Sequence, residues 1–176
     1  MGGTRSSYPT HPQAGADLMP KLFLDCDGVL ADFDAGARKL LGTSAHAFEA
    51  KHGKGGFWRQ LAKADNFYGK LPLMSDAREL FDAVKHLEPT VLTGLPLGKW
   101  AAPQKLEWVE AHFPGTPVIT CMARDKVKYM EAGDVLVDDQ ERHRHLWDEA
   151  EGIFIHHHSA KQSLAELKAV FPSIKA

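Results

Sequence analysis

The sequence predicts an α/β protein: a parallel sheet with helices on both faces and a small helical cap inserted after the first strand. Short apolar runs alternate with segments of helical spacing along the chain, a pattern typical of right-handed β-α-β units. The stretch from residue 33 to residue 70 is longer than a simple crossover between strand and helix. It is therefore predicted to form the cap.

The first strand is predicted over residues 21–24, a short apolar run that ends in a polar, glycine-containing turn. A helix over residues 32–41 follows, because its apolar residues recur on one face. After the cap, residues 75–87 have the pattern of a strongly amphipathic helix. Ser75 is its predicted N-cap, and Glu79 lies near the position that completes a capping box.

The cap itself is less regular. Ser44 is the predicted N-cap of a short helix that ends at Lys51, residues 53–56 break it with three glycines, and residues 57–64 form a second helix. Polar residues and glycines therefore divide the cap into two predicted helices.

The remaining sequence continues the alternation of strands and helices. Pro103 lies in the first turn of one helix, where its missing N–H costs little. The strands are predicted over residues 90–92, 117–120, 135–137 and 152–155, and the helices over residues 102–112, 126–132, 143–150 and 163–170.

Length and composition fit one domain with a modest insertion. The chain has 176 residues, of which 44% are hydrophobic and 25% charged, and its net charge is −2. This charge predicts no nucleic-acid polymer and no anionic membrane as partner. No apolar run approaches the roughly 18 residues of a membrane helix. Two cysteines fit a reducing compartment, and a cytoplasmic location is expected.

The first 18 residues are rich in Gly, Ser, Thr and Pro and lack the apolar centre of a secretory signal. They are predicted to be a disordered lead or an addition to the native chain. The predicted organisation is then a lead over residues 1–18, a core made of residues 19–32 and 71–176, and the cap over residues 33–70.

Polar residues follow the predicted strands at the edge where parallel sheets carry their sites. Four acids and a lysine at one such edge suit a hard cation and a phosphate, because Mg²⁺ prefers carboxylate oxygens and lysine supplies a compensating charge. The residues after the strands are Asp25, Asp27, Thr93, Arg124, Asp125, Lys126, Asp138 and Asp139.

The segment Asp25-Cys26-Asp27-Gly28-Val29-Leu30 resembles the first motif of the haloacid-dehalogenase-like (HAD) phosphatases, and Thr93, Lys126 and Asp138-Asp139 match the other three in order. This resemblance implies a HAD-like, Rossmann-like core. A narrower similarity, to the 5′(3′)-deoxyribonucleotidases of this superfamily, depends on residues 66–68, 71–73, 91–93, 105–110, 124–126 and 135–139.

The resemblance implies a role for each matched residue. Asp25 would be the nucleophile that forms an aspartyl-phosphate, and Asp27 the general acid and base. Mg²⁺ would be held by Asp25, by the backbone carbonyl of Asp27 and by Asp138. Asp139 would hold a metal-bound water or orient the lysine. The phosphate would be bound by Thr93, the N–H of Gly94 and Lys126.

Two departures from the nucleotidase pattern concern the substrate. Gly94 stands where those enzymes carry a serine, and Gln140 stands where they carry an arginine near the nucleotide. A nucleoside monophosphate is the favoured substrate, with 5′ or 3′ preference open. The alternatives are another small phosphorylated metabolite, or a catalytically weak phosphate-binding module, against which the presence of Asp27 argues. Homodimer formation is left as an option.

Aromatic residues of the cap have two interpretations, as a wall for the substrate or as the cap's own packing. These residues are Phe57, Trp58, Phe67 and Tyr68, and Gln140 is a further candidate for substrate contact. Trp100 and Trp108 are predicted to be structural. Histidines 156–158 are predicted not to form one metal site, because consecutive side chains on a strand point in different directions.

Overall fold

The computed structural model describes residues 19–175, and the predicted lead over residues 1–18 lies outside them. Five parallel strands form one sheet in the order β3-β2-β1-β4-β5. The predicted α/β class with a Rossmann-like parallel sheet is therefore confirmed. The strands are β1 (Leu22–Leu24), β2 (Thr90–Gly94), β3 (Val118–Cys121), β4 (Val135–Asp138) and β5 (Ile153–His156).

Six α-helices connect and cover these strands in the described part of the chain. Shorter 3₁₀ turns lie at residues 68–70, 85–87, 123–129 and 141–143. The α-helices are α1 (Phe33–Leu41), α2 (Ala45–Lys63), α3 (Ala77–Val84), α4 (Ala101–His112), α5 (Arg144–Glu149) and α6 (Ala160–Val170). Among residues 19–175, none of the helices combines the length and apolarity needed to cross a membrane.

Both faces of the sheet are packed. Leu22 and Leu24 of β1 face a large apolar cluster that includes Trp108 of α4 and Leu167 of α6. Phe23 points the other way, into a smaller cluster that contains Trp147 of α5 and Leu136 of β4. Alternate residues of the central strand thus bury opposite faces, as the period of a strand requires.

The cap begins with α1, whose N-cap Asp32 accepts a hydrogen bond from the N–H of Ala35 (2.9 Å). Helix α2 packs against α1. The predicted pair of cap helices is wrong in one respect. Ser44 does cap the first, but α2 resumes at once after a kink at Gly53, so the other glycines of the predicted break are helical.

Two further predictions about helices are wrong. Ser75 is not an N-cap, because α3 begins after Asp76, whose carboxylate instead accepts the N–H of Ala160 at the start of α6 (2.6 Å). A long-range contact therefore replaces the local capping box. The predicted helix over residues 126–132 is a 3₁₀ turn over residues 123–129, which places Lys126 beside the ends of the strands.

Candidate active site

The carboxyl edge of the sheet opens into a cleft of about 1520 Å³ between core and cap. Its lining includes most of the residues that the sequence singles out, although the matched segments are far apart in the chain. They meet because β1 lies between β2 and β4, so the three strand ends are adjacent. The residues of the four matched motifs in the lining are Asp25, Asp27, Gly28, Lys126, Asp138 and Asp139, and the two departures, Gly94 and Gln140, line it as well.

Lys126 links the ends of β1 and β4. Its ammonium donates a hydrogen bond to Asp138 Oδ2 (2.7 Å) and lies 2.9 Å from Asp25 Oδ1. All three residues are buried. The N–H of Asp25 donates to the carbonyl of Val137 (2.9 Å). This hydrogen bond continues the pairing of β1 with β4 and holds the Asp25 backbone beside the end of β4. One cation therefore holds two buried carboxylates together.

Asp139 approaches the first motif through Gly28. Gly28 has a φ of +78°, and a Cβ at this position would lie 2.3 Å from Asp139 Oδ2. Any side chain at residue 28 would therefore meet both backbone strain and the Asp139 carboxylate. Glycine allows the loop after β1 and the acid after β4 to meet.

Gln140 supports the acid pair. Its side-chain amide donates to Asp139 Oδ2 and its backbone N–H donates to Asp138 Oδ1, both at 2.9 Å. The predicted contact of Gln140 with a substrate remains a prediction, because its amide is directed at Asp139 in this structure.

The three acids have too little positive charge around them. Burial, followed by the negative charge of Asp25, raises the pKa of Asp138 to about 7 and that of Asp139 to about 6. Burial opposes the charged form of Lys126, but Asp25 and Asp138 outweigh it and raise the pKa of the lysine. A single ammonium among three carboxylates leaves room for a further cation.

The donor set fits a hard divalent cation. Oxygen atoms of Asp25, Asp138 and Asp139 lie within 4.8 Å of one another. Among the described residues, Oδ1 of Asp27 and Oδ1 of Asp139 are buried without a hydrogen-bond donor, and Asp25 Oδ1 has the Lys126 ammonium at 2.9 Å. Buried acceptors of this kind require a partner, and Mg²⁺ prefers carboxylate oxygens. The acidic cluster can thus hold a metal ion. The backbone carbonyl of Asp27 as an additional ligand stays a prediction.

A second buried lysine, Lys105 of α4, belongs to the site although it was not predicted there. Its ammonium donates to Asp27 Oδ2 (2.5 Å), to Thr93 Oγ1 (2.9 Å) and to the carbonyl of Gly94 (2.8 Å). The sequence contains one signal of this role. Lys105 follows Ala101 by four residues and precedes Trp108 and Val109 by three and four, which is the spacing of one face of a helix. The structure buries all four residues of this face.

The predicted aromatic wall divides into two pairs. Trp58 and Tyr68 line the cleft, whereas Phe57 and Phe67 do not, and of these four residues Tyr68, Phe57 and Phe67 are buried. Both phenylalanines pack around Phe33 of α1, at ring-centroid distances of 6.4 and 5.5 Å. Three of the four aromatics, Phe57, Phe67 and Tyr68, thus belong to the buried apolar cluster, and Tyr68 also borders the cleft.

Trp100 was predicted to be structural, but it also borders the cleft, with its ring 5.3 Å from that of Tyr68. The rings of His156 and His158 lie 4.1 Å apart, and the prediction that residues 156–158 do not form one metal site stays a prediction. His156 contacts the Asp139 carbonyl (3.0 Å), His157 pairs with Ser163 (2.8 Å), and His158 is exposed.

Comparisons with known proteins give little beyond this geometry. No model of a known protein family matches the sequence, and no curated protein matches it. Among solved structures, a hydrolase from Streptococcus pneumoniae TIGR4 is similar over 86% of this chain and 97% of that chain, with 14% identity and a TM-score of 0.48. The chemistry of the cleft is accordingly inferred from its own residues.

Proposed function

We propose that the protein is a Mg²⁺-dependent phosphomonoesterase that acts through an aspartyl-phosphate on Asp25. The observation that carries the proposal is the contact of Lys126 with both Asp25 and Asp138, next to Asp139, in a cleft. A nucleophilic carboxylate, a cation for the phosphate and a set of hard oxygen ligands thus lie within a few ångströms. The resemblance of these segments to the four HAD motifs supports the same chemistry.

The residues divide the reaction into two displacements. In the first, a carboxylate oxygen of Asp25 forms a bond to phosphorus while the bond from phosphorus to the ester oxygen breaks. Asp27 gives its proton to that leaving oxygen. In the second, water attacks the aspartyl-phosphate, Asp27 takes a proton from the water, and Asp25 is released with inorganic phosphate.

Several groups already in place can bind the phosphate. The Lys126 ammonium lies between Asp25 and Asp138 and can direct its remaining N–H at a phosphate oxygen. The Thr93 hydroxyl and the N–H of Gly94 are the further phosphate donors. Bound Mg²⁺, held by Asp25, Asp138 and the Asp27 carbonyl with Asp139 beside them, would reduce repulsion between the nucleophile and the phosphate dianion.

The proposed substrate is a nucleoside monophosphate. Trp58, Tyr68 and Trp100 line the cleft together with the acids, so a planar apolar group and a phosphate can be accommodated in one cavity. The similarity of several segments to the 5′(3′)-deoxyribonucleotidases favours the same class of substrate. Other small phosphorylated metabolites share the chemistry and differ only in the leaving group.

Hydrolysis of p-nitrophenyl phosphate tests the proposed reaction. The native protein should turn over in Mg²⁺ and stop in EDTA, and Asp25→Asn should lack this turnover. Asp82→Asn is the matched control, because Asp82 is an exposed acid that forms an ion pair with Lys85, away from the cleft. Equal rates with Mg²⁺ and with EDTA, or an Asp25→Asn variant as active as Asp82→Asn, would refute the proposal. A panel of nucleotides and sugar phosphates then tests the substrate class, which fails if nucleotides are not preferred.

A further inference from the structure

Lys105 is the most deeply buried charged side chain of the cleft region, and its surroundings are polar only at its tip. The residue is 1% exposed, and its stem lies among the buried positions of α4. The ring of Tyr68 lies 4.6 Å from the ammonium. A lysine is almost never buried to this extent unless its charge is paired. Its presence therefore calls for a role that an apolar residue could not fill.

The ammonium has three N–H groups and three acceptors. They are Asp27 Oδ2, Thr93 Oγ1 and the Gly94 carbonyl, at 2.5, 2.9 and 2.8 Å. With all three donors used, Lys105 has none left for a substrate. Any influence on the reaction must pass through the residues that it holds.

The hydrogen bonds of Lys105 orient two of those residues, Asp27 and Thr93. Lys105 fixes one oxygen of the Asp27 carboxylate, while the other, Oδ1, has no hydrogen-bond donor among the described residues. Thr93 accepts from the lysine, so its own hydroxyl hydrogen remains available to another acceptor. The lysine thus leaves one free oxygen on the acid and one free O–H on the threonine.

We propose that Lys105 is a positioning residue that orients the Asp27 carboxylate of the cleft relative to the buried Thr93 hydroxyl. The role in catalysis depends on the proposed phosphomonoesterase function. Asp27 must reach the leaving oxygen while Thr93 holds the transferred group, and a displacement of about 1 Å in such a contact can cost about a hundredfold in rate.

The first experiment needs no activity. Lys105→Met keeps the length of the buried stem and removes the ammonium, and its crystal structure is compared with that of the native protein. The Asp27 carboxylate is expected to leave its native position by more than about 1 Å. An unchanged Asp27 would overturn the proposal. Thermal unfolding of the variant checks that it folds; if it does not, Lys105→Gln, which retains an N–H donor, takes its place.

The second experiment separates positioning of the acid from a general loss of structure. A general acid matters for a poor leaving group and little for a good one, so benzyl phosphate and p-nitrophenyl phosphate form a matched pair. Lys105→Met should lower kcat/KM on benzyl phosphate by roughly 10- to 100-fold, within the range of general acid catalysis, and lower it much less on p-nitrophenyl phosphate. Equal losses on both substrates would contradict the proposal.

Combination with Asp27→Asn gives the sharpest result. If Lys105 acts through Asp27, adding Lys105→Met to Asp27→Asn should lower kcat/KM on benzyl phosphate no further. Independent, multiplying losses would overturn the proposal. Lys85→Met is the control, since Lys85 forms an exposed ion pair with Asp82. Absence of turnover in the native protein would refute the phosphatase function, whereas the position of Asp27 in the variant structure decides the role of Lys105 in either case.

Discussion

Two buried lysines, Lys126 and Lys105, hold the acids of the cleft in different ways. Lys126 lies between two carboxylates, those of Asp25 and Asp138, and a third acid is close by. Lys105 contacts one carboxylate, that of Asp27, and two neutral acceptors. The first cluster is short of positive charge, and the second is balanced.

This difference separates two tasks. A cluster with excess negative charge can accept a cation, and the shortage around Asp25 and Asp138 marks the place for one. A cluster with one ammonium and one carboxylate does not call for a further cation and instead fixes geometry. In the proposed reaction the nucleophile and the metal-binding carboxylates therefore belong to the Lys126 cluster, whereas the acid–base carboxylate belongs to the Lys105 cluster.

The largest effect is expected from Lys126→Met. It removes the cation next to the nucleophile, so kcat on p-nitrophenyl phosphate should fall by about 10²–10³-fold, as after loss of one donor to a developing anion. The metal should still bind, because all three carboxylates remain. A kcat within twofold of the native value would show that this lysine does not serve the reaction. Lys85→Met provides the matched control here as well.

An effect of intermediate size is expected on thermal stability when pH and Mg²⁺ are varied together. The raised pKa values of Asp138, about 7, and Asp139, about 6, lie above those of an unfolded chain, near 3.9. The metal-free folded state therefore binds more protons than the unfolded state between about pH 4 and 7 and loses stability as pH rises through that interval. Mg²⁺ binds the deprotonated acids, so its stabilisation should grow over the same interval.

Thermal unfolding with and without Mg²⁺ measures this dependence. The increase in Tm caused by Mg²⁺ should be larger at pH 8 than at pH 5.5, where protons compete for the same oxygens, with about 2–4 °C for each kcal/mol in a chain of this size. Asp138→Asn should abolish the difference. An increase that is independent of pH would mean that Mg²⁺ does not compete with protons at Asp138 and Asp139.

The smallest effect is expected at Gly94, whose carbonyl accepts from Lys105. A Cβ at this position would lie 3.2 Å from Ala123 Cβ, a tight contact that a small backbone shift can relieve. Gly94→Ala should lower the free energy of unfolding by about 1 kcal/mol and lower activity slightly. Gly55→Ala, at a helical position with open space around it, should be neutral or stabilising. Denaturant unfolding measures the free energy of unfolding of both variants. Equal values for Gly94→Ala and Gly55→Ala would show that the contact with Ala123 does not destabilise the protein.

The order of strands and helices was predictable because it depends on local periodicity, and the convergence of Asp25, Lys126 and Asp138 follows from parallel strands ending at one edge. The N-cap residue of helix α3 was not predictable from the sequence. Ser75 has the local sequence pattern of an N-cap, but Asp76 occupies the N-cap position of α3. The Asp76 carboxylate accepts a hydrogen bond from Ala160, 84 residues away, which no local pattern reveals. The role of Lys105 was missed for a similar reason, since its acceptors come from two other segments of the chain.

The distinction between Phe57 and Trp58 could not be made from sequence either. Adjacent aromatic residues in a helix have similar local signals, and only the packing of α2 on α1 decides which faces the cleft. The sequence left two interpretations open for the four aromatics, a substrate wall or packing of the cap, and the choice between them depends on tertiary structure.

The most direct test of the proposed mechanism is to trap its covalent intermediate. The protein is mixed with Mg²⁺ and a phosphorylated substrate that it turns over, quenched in acid, and digested for mass spectrometry. The mechanism predicts a phosphoryl group on Asp25, more abundant in Asp27→Asn if that variant slows hydrolysis of the intermediate, and none in Asp25→Asn. Continued turnover with the phosphoryl group on another residue, or with Asp25 unmodified in every quenched sample, would contradict it.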